Sequence, residues 1–236
     1  SERYPHQLSG GQQQRIALNR SLAPDPLAML LDEPFSNLDP QVRLRLRSEF
    51  KRVLHATGVT AVYVTHDQEE ALFMGDRIAV MNNGLLEQVG TPEEIFHMPH
   101  TKFVAKFLGM ADFLPINITQ KGLQSELGHL VPEVRIDSPI NAELMVRPDN
   151  IIIKPSHDGH GTISNRIFKG THYLYTVKLR SGSSIHSICH HSERYEEGST
   201  VSVDLTPGQR LTCFGSNDVS GINADTIYTF TVYGPT

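Results

Sequence analysis

The segment LAMLLDEP, residues 27–34, decides the fold of the first half of the chain. An uninterrupted apolar run at residues 27–31 is typical of a strand that is buried on both faces in a parallel sheet. Two carboxylates, Asp32 and Glu33, follow the run directly. The segment therefore predicts a buried strand that ends in two acidic side chains.

A helix and a second apolar strand follow this segment. Asp39 is suited to the N-cap and Pro40 to the first helical position, and Gly58 marks the end of the helix. One apolar stripe at helical spacing comprises Val42, Leu46, Phe50, Val53 and Leu54. The stretch VTAVYVTHD, residues 59–67, predicts the second strand, and a helix over residues 68–74 comes next. This order predicts an α/β domain with parallel strands and right-handed crossovers.

Basic residues on the first of these helices allow two interpretations. The residues concerned are Arg43, Arg45, Arg47, Lys51 and Arg52. They would form either a binding face or an ordinary solvated helix face. Glu49 interrupts the set and no aromatic residue interleaves with it, so the pattern favours a solvated face.

The stretch LSGGQQQR, residues 8–15, precedes a predicted helix over residues 12–23. Two glycines allow the backbone to approach a ligand closely, and a helix start offers unpaired N–H groups and partial positive charge. Ser9, Gly10 and Gly11 therefore suit a phosphate. A tight turn with Ser9 as an ordinary helix cap explains the same residues equally well.

Polar side chains are predicted at the carboxyl ends of both strands, where open α/β sheets bind ligands. Of Asp32 and Glu33, one carboxylate can hold Mg²⁺ through water and the other can orient or deprotonate a water molecule. His66 can contact a phosphate oxygen as charge shifts in the transition state. The alternatives are a capping role for the acidic pair and a structural role for the histidine.

The sequence pattern changes near Ala111, where helical spacing gives way to short alternating runs separated by Gly, Pro and Ser. Before that point, Asn83-Gly84 predicts a type I′ hairpin, and Thr91 with Glu94 predicts a capping box. The prediction is therefore an α/β domain over residues 1–110, followed by a small all-β, OB-like barrel over residues 111–236. Residues 227–232 would be one added strand or a polar terminus.

Composition limits the classes of function. The chain has 236 residues and a formal net charge of −5, which argues against a nucleic-acid partner. No apolar run approaches the roughly 20 residues that span a bilayer. Cys189 and Cys213 form no CxxC pair, and this indicates a reducing compartment. The stretch HSICHH would place His186 and His190 opposite Cys189 and His191 on a strand, which disfavours a metal site.

Four motifs together resemble the C-terminal half of an ABC transporter ATPase domain. LSGGQQQR resembles the family's signature motif and LAMLLDEP its Walker B strand with the catalytic glutamate. SNLD, residues 36–39, resembles the D-loop, and VTHD, residues 64–67, resembles the loop of the switch histidine. The order and the spacing of all four motifs agree with the family.

The resemblance implies roles for individual residues, with ATP and Mg²⁺ as cofactors. Two such domains form a dimer around two ATP molecules, so Ser9, Gly10, Gly11 and Gln12 would contact the ATP held by a partner subunit. Asp32 would support Mg²⁺ through water, Glu33 would position the attacking water, and His66 would contact the γ-phosphate. Ser36 and Asp39 would lie in the loop that crosses the dimer interface.

One part of the family pattern is missing. No GxxxxGK[ST] segment, the Walker A phosphate loop, occurs in the sequence. We therefore expect that the sequence is N-terminally truncated before the signature motif and that this piece alone is inactive as an ATPase. The alternative is a non-catalytic regulatory remnant that lacks the loop.

The second half resembles the TOBE domain of ABC importers, with LMVRPDNIIIKP close to that family's RPE strand. The resemblance is closest to the ferric-iron branch, and polyamine or sugar importer ATPases are the alternatives. It implies a homodimer of ATPase subunits, transmembrane permease subunits, a periplasmic or extracellular solute-binding protein and no nucleic acid. The location implied is peripheral, on the cytoplasmic face of the inner (plasma) membrane.

Overall fold

The computed structural model describes residues 4–119, 122–131, 140–208, 210–215 and 227–231. The chain divides into two compact units, Ser1–Ile78 and Ala79–Thr236. The boundary between these units, after Ile78, lies earlier in the chain than the domain boundary that the sequence pattern predicts after residue 110. The latter boundary, between two sequence domains, stays a prediction.

Regular structure covers most of the described chain. The helices are α1 Gly10–Leu22, α2 Pro40–Thr57, α3 Gln68–Met74, α4 Pro92–His97 and α5 Lys102–Phe107, with 3₁₀ turns at Pro5–Gln7 and Pro148–Asn150. The strands before the all-β region are β1 Ala28–Asp32, β2 Thr60–Val64, β3 Ile78–Asn82 and β4 Leu85–Gly90. Those after it are β5 Asp112–Thr119, β6 Gly122–Ser125, β7 Gly128–Val131, β8 Ile140–Val146, β9 Ile151–Pro155, β10 Gly161–Phe168, β11 His172–Leu179, β12 Ser184–His190, β13 Thr200–Leu205, β14 Arg210–Gly215 and β15 Ile227–Thr231.

In the first unit, β1 and β2 pair in parallel with α2 as the crossover between them, as the sequence predicts. The pairing places Asp32 opposite Val64, so both strands end at the same edge. Helix α2 begins at the predicted N-cap, where the Asp39 carboxylate accepts the N–H of Gln41. Its predicted apolar stripe packs against Phe35 and Met29 in one core cluster.

The prediction that β1 is buried on both faces is wrong for this structure. Met29 is 4% exposed, whereas Leu27 is 98% and Leu30 79% exposed. Among the described residues, β1 pairs with β2 alone in a two-stranded sheet. One face of that sheet packs on the core cluster, and the other face therefore leaves its apolar side chains in solvent.

The second unit begins with the predicted hairpin and ends in two antiparallel sheets. Asn83 and Gly84 have φ values of 48° and 79°, which fits the type I′ turn between β3 and β4. The capping box of Thr91 and Glu94 is present. The sheets have the orders β12-β11-β10-β13-β9 and β15-β14-β8-β5-β6-β7, and one hydrophobic core contains side chains of both. The described strands close no barrel but agree with an OB-like β-domain.

The end of the chain adds one strand. Residues Ile227–Thr231 form β15, which pairs with β14. Position 232, the last of the strand predicted there, lies outside the described residues. Within the described part of the chain, we find no helix that combines the length and the apolar character needed to cross a membrane.

Candidate functional site

The start of α1 carries the glycine segment, residues 9–12. Ser9 is the N-cap, and its hydroxyl accepts the N–H of Gln12 at 3.3 Å, while the Gln12 side chain accepts the N–H of Ser9 at 3.0 Å. This capping box fixes the first turn and leaves the amides of Gly10 and Gly11 without intrahelical acceptors. The helix terminus therefore presents partial positive charge at a rigid, exposed edge.

The two glycines also have a packing reason. A Cβ atom on Gly10 would lie 2.9 Å from a Leu38 methyl, and one on Gly11 would lie 3.1 Å from a Val42 methyl. Their absence allows α1 to approach α2 and the turn before it. The capping and the ligand interpretations of this segment are thus compatible, since the same geometry serves both.

A shallow cleft of about 320 Å³ joins the glycine segment to residues 37–39. Its lining includes Ser9, Gly10, Gly11 and Gln12 on one side and Asn37 and Asp39 on the other. Arg15 and Arg45 also line the cleft, and Arg45 belongs to the basic set for which the sequence pattern favours a solvated face over a binding face. Two guanidinium groups and a helix N-terminus make this surface suitable for an anion.

Glu33 and His66 meet at the carboxyl ends of the two parallel strands. The distance between His66 Nδ1 and Glu33 Oε1 is 2.8 Å, and both side chains are open to solvent. The hydrogen bond to Glu33, together with the charge of that carboxylate, raises the pKa of His66 above its ordinary value. Glu33 and His66, which the sequence predicts at the same edge of the sheet, are therefore in direct contact.

The backbone at Glu33 is unusual. Its φ of 41° lies in the left-handed region, which non-glycine residues rarely adopt. The Glu33 carbonyl accepts both the N–H and the hydroxyl of Ser36, at 3.2 and 3.0 Å, and these bonds hold the turn. A carboxylate held in a sparsely populated conformation is typical of functional sites, where the surrounding structure offsets the strain.

Asp32 lies beside this pair as an exposed carboxylate at the end of β1. No group of three or more His, Cys, Asp or Glu side chains with metal-binding geometry exists among the described residues. A single protein carboxylate can nevertheless suffice for Mg²⁺. This ion keeps several waters and takes further oxygen ligands from substrate phosphates. Asp32 therefore has the donor chemistry of a site at which Mg²⁺ would keep most of its waters.

A buried ionic network behind His66 was missed by sequence reasoning. Arg47 was expected on a solvated face but is 5% exposed, because its guanidinium donates to Glu70 Oε1 at 2.7 Å and to Asp67 Oδ2 at 2.9 Å. Glu70 also accepts the hydroxyls of Tyr63 and Thr65, at 2.7 and 2.8 Å. No local signal in the sequence marks Arg47, because the exposed Arg52 also lies directly beside a residue of the apolar stripe, Val53.

The network fixes charge states as well as positions. Burial acts to raise the pKa of Glu70, but the hydrogen bonds from Tyr63, Arg47 and Thr65 outweigh it and hold the pKa below its ordinary value. Burial, reinforced by Glu70, raises the pKa of Tyr63. Glu70 is therefore an ionised acceptor that holds residues 65–67, the loop on which His66 lies.

The histidines near the end of β12 do not converge. His186 faces Asp112, with its Nδ1 3.0 Å from a carboxylate oxygen, while the Cys189 side chain is buried on the opposite face. The rings of His190 and His191 contact each other at an angle of 39°, with their centroids 4.0 Å apart. The alternation expected for a strand is present, and each side chain has its own surroundings.

Two sequence families match different parts of the chain. Residues 1–36 match the family described as ABC transporter, and residues 144–211 match the TOBE domain family. The first range contains the glycine segment, Asp32, Glu33 and Ser36, and the second contains strands of both β-sheets.

Curated relatives extend this similarity across the region between the two matches. The chain is 44% identical over 181 residues to the spermidine/putrescine import ATP-binding protein of Borreliella afzelii, covering 74% of this chain and 52% of that relative. It is 50% identical over 167 residues to the Fe(3+) ions import ATP-binding protein of Rhizobium meliloti, covering 70% and 40%. It is 50% identical over 156 residues to the sulfate/thiosulfate import ATP-binding protein of Chromobacterium violaceum, covering 65% and 42%. The chain thus spans about half the length of such relatives.

Proposed function

Because the chain belongs to the ABC transporter ATPases that carry a C-terminal TOBE domain, we propose that the complete protein is the ATP-binding and ATP-hydrolysing subunit of a solute importer. The observation that carries this proposal is the contact of Glu33 with His66 at the carboxyl ends of two parallel strands. Ligands of open α/β sheets bind at this edge.

Glu33 and His66 have separate tasks in the proposed reaction. Glu33 orients the attacking water and accepts its proton, for which a half-exposed carboxylate at the strand edge is suited. His66 donates a hydrogen bond to the γ-phosphate while charge develops on its oxygens. The raised pKa of His66 keeps a larger share of the imidazole protonated, and therefore able to donate, near neutral pH.

Asp32 would hold Mg²⁺ through water on the same edge. When bound, the ion neutralises charge on the phosphates of ATP. Residues 9–12 would bind the γ-phosphate of an ATP held by a second ATPase subunit, through the helix N-terminus and the Ser9 hydroxyl. Ser36 and Asp39, which belong to the turn beside the same cleft, would lie at that subunit interface.

Replacement of Glu33 tests the catalytic part of the proposal. In the complete protein, we expect Glu33→Gln to lower ATP turnover by roughly 10²–10⁴-fold, as for the loss of a general base. ATP-dependent dimerisation should persist, because the amide keeps the shape of the carboxylate. Phosphate release and dimer mass are the measurements, and Glu69→Gln, at an exposed position on α3, is the matched control. Unchanged turnover in the Glu33 variant would reject its role.

The proposed solute is ferric iron, on the basis of the β-domain resemblance and the similarity to a relative named for iron import. A polyamine is the second candidate, because the relative named for spermidine and putrescine import is matched over a larger share of this chain. The proposed partners are transmembrane permease subunits and a solute-binding protein, and the location is the cytoplasmic face of the membrane.

Uptake by the reconstituted transporter distinguishes the candidates. We expect uptake of ferric iron when iron, spermidine and sulfate are offered separately with the cognate permease and solute-binding protein. Uptake of spermidine without iron would replace the first candidate by the second. ATP-dependent uptake of none of the three would contradict both.

A further inference from the structure

Two arginines one turn apart on α2 reach the same carboxylate. Arg47 Nη2 lies 2.9 Å from Asp67 Oδ2, and Arg43 Nη1 lies 3.5 Å from the same oxygen. Asp67 directly follows His66, and its other oxygen caps α3 by accepting the N–H of Glu70 at 3.0 Å. The loop that carries His66 is therefore held from the side of α2.

Arg43 has a second set of partners in the turn that precedes α2. Its Nη2 donates to the carbonyl of Leu38 at 3.2 Å and lies 3.5 Å from the carbonyl of Ser36. Ser36 in turn donates its hydroxyl to the carbonyl of Glu33. One guanidinium thus connects the turn at residues 36–39 with the loop at residues 65–67. Glu33 is hydrogen-bonded to the first segment through Ser36, and His66 lies on the second.

The position of Arg43 is not explained by stability alone. Its Nε is buried and has no hydrogen-bond partner among the described residues, and a buried donor without an acceptor costs free energy. Such a group calls for an explanation in a native structure. The explanation we favour is that this position lets Nη2 reach the carbonyls of Ser36 and Leu38 while Nη1 faces Asp67.

We propose that Arg43 is a positioning residue that couples the turn at residues 36–39 to the loop that carries His66. The Arg47–Glu70 pair is the fixed support, and Arg43 is the adjustable connection between the two segments. This inference rests on the proposed function, since it matters for catalysis only if His66 contacts the γ-phosphate and residues 36–39 meet a partner subunit. Movement of the turn would then shift His66 relative to Glu33.

Hydrogen–deuterium exchange of the chain without nucleotide tests the coupling in a double-mutant cycle. Asp67→Asn keeps the cap of α3 and removes the charge that Arg43 faces. We expect Asp67→Asn to accelerate exchange in peptides covering residues 36–39 by roughly two- to fivefold, the factor for loss of a partly exposed ion pair. When Arg43 is already replaced by Gln, Asp67→Asn should not change the exchange rate of these peptides.

The controls separate coupling from general loosening. Arg52→Gln, at an exposed position of the same helix, should change neither segment, and α1 should exchange at the same rate in every variant. Arg43→Lys is the second variant if Arg43→Gln does not fold. Lysine has a single amino group, so it should slow exchange in only one of the two segments, residues 36–39 or residues 65–67. Protection of both by lysine, or an effect of Asp67→Asn that is equal in both backgrounds, would overturn the proposal. Because no ATP is present, these outcomes are independent of the turnover test on Glu33.

Discussion

The Glu33–His66 contact joins a carboxylate and an imidazole at the ends of two paired strands, in which Asp32 faces Val64, 32 residues later in the chain. Glu33 has a positive φ, and its carboxylate contacts His66 in the residue pair that follows the second strand. Backbone geometry therefore places the two side chains, while the charge state of His66 depends on Glu33.

We predict that Glu33→Gln lowers the pKa of His66 toward its ordinary value, because the neutral amide no longer favours the imidazolium. For a raised histidine pKa, the stabilisation by this contact is fully present below the ordinary value of about 6.5 and is lost as the pH rises through the raised value. An NMR titration of the His66 ring gives the measurement. Glu69→Gln, at an exposed position on α3, is the control variant and should leave the His66 titration unaltered. An unaltered His66 titration in the Glu33 variant would show that Glu33 does not set its charge.

The location of a site residue could be predicted where a motif places it at a strand end. It could not be predicted where it depends on burial against distant residues. Asp32, Glu33 and His66 follow apolar strands, so their common edge could be predicted. Arg47 lies among other basic residues of α2, and nothing local distinguishes it from Arg52. Its burial depends on Glu70 and Asp67, which are 20 or more residues distant, and helix periodicity carries no information about such partners.

Among the elements, the best predicted are those with local signals. Helix α3 has its predicted bounds, and the hairpin β3–β4 turns at Asn83-Gly84 because the turn needs positive φ at both positions. Strand β1 lies where the sequence predicts it, but the prediction of its burial was wrong. Burial depends on the neighbours of a strand as well as on its own sequence. Propensity fixes the kind of element, and tertiary contacts fix which of its faces is covered.

The connection between β12 and β13 depends on one buried hydroxyl. Tyr175 is fully buried, donates to the carbonyl of Glu193 at 2.9 Å and accepts the N–H of Tyr195 at 2.8 Å. We predict that Tyr175→Phe destabilises the second unit by about 1–3 kcal/mol, because it removes two hydrogen bonds that each contribute about 0.5–1.5 kcal/mol. The opening free energy of the slowest-exchanging amides of β11 is the measurement.

Tyr173 is the matched control for this prediction. It lies on the same strand with its ring 5.8 Å from that of Tyr175, and its side chain is only partly buried. Tyr173→Phe should change the free energy by less than about 0.5 kcal/mol, as for other surface changes. Equal effects of the two substitutions would mean that the hydroxyl of Tyr175 contributes nothing beyond ring packing.

For the whole molecule, two boundaries compete, one after residue 110 from the sequence pattern and one between Ile78 and Ala79 from the contacts. The contacts that join residues 79–110 to the β-sheets centre on Arg147. Its guanidinium donates to the carbonyls of Phe96 and Met110 at 2.9 and 3.2 Å and lies 3.8 Å from the Phe96 ring centroid. Burial lowers the pKa of Arg147 to about 10, and carbonyl oxygens take the place of a carboxylate partner.

A comparison of two fragments decides between the boundaries. We predict that residues 79–236 unfold at a higher urea concentration than residues 111–236, since the shorter fragment leaves Arg147 without these acceptors and removes the ion pair of Lys102 with Glu143. Arg147→Gln should then destabilise the longer fragment by about 1.5–3 kcal/mol, the value for hydrogen bonds to a charged group, and the shorter by less than about 0.5 kcal/mol. Urea unfolding followed by circular dichroism measures all four proteins. Equal midpoints of the two parent fragments, with the same small effect of Arg147→Gln in each, would instead support an independent β-domain that begins near Ala111.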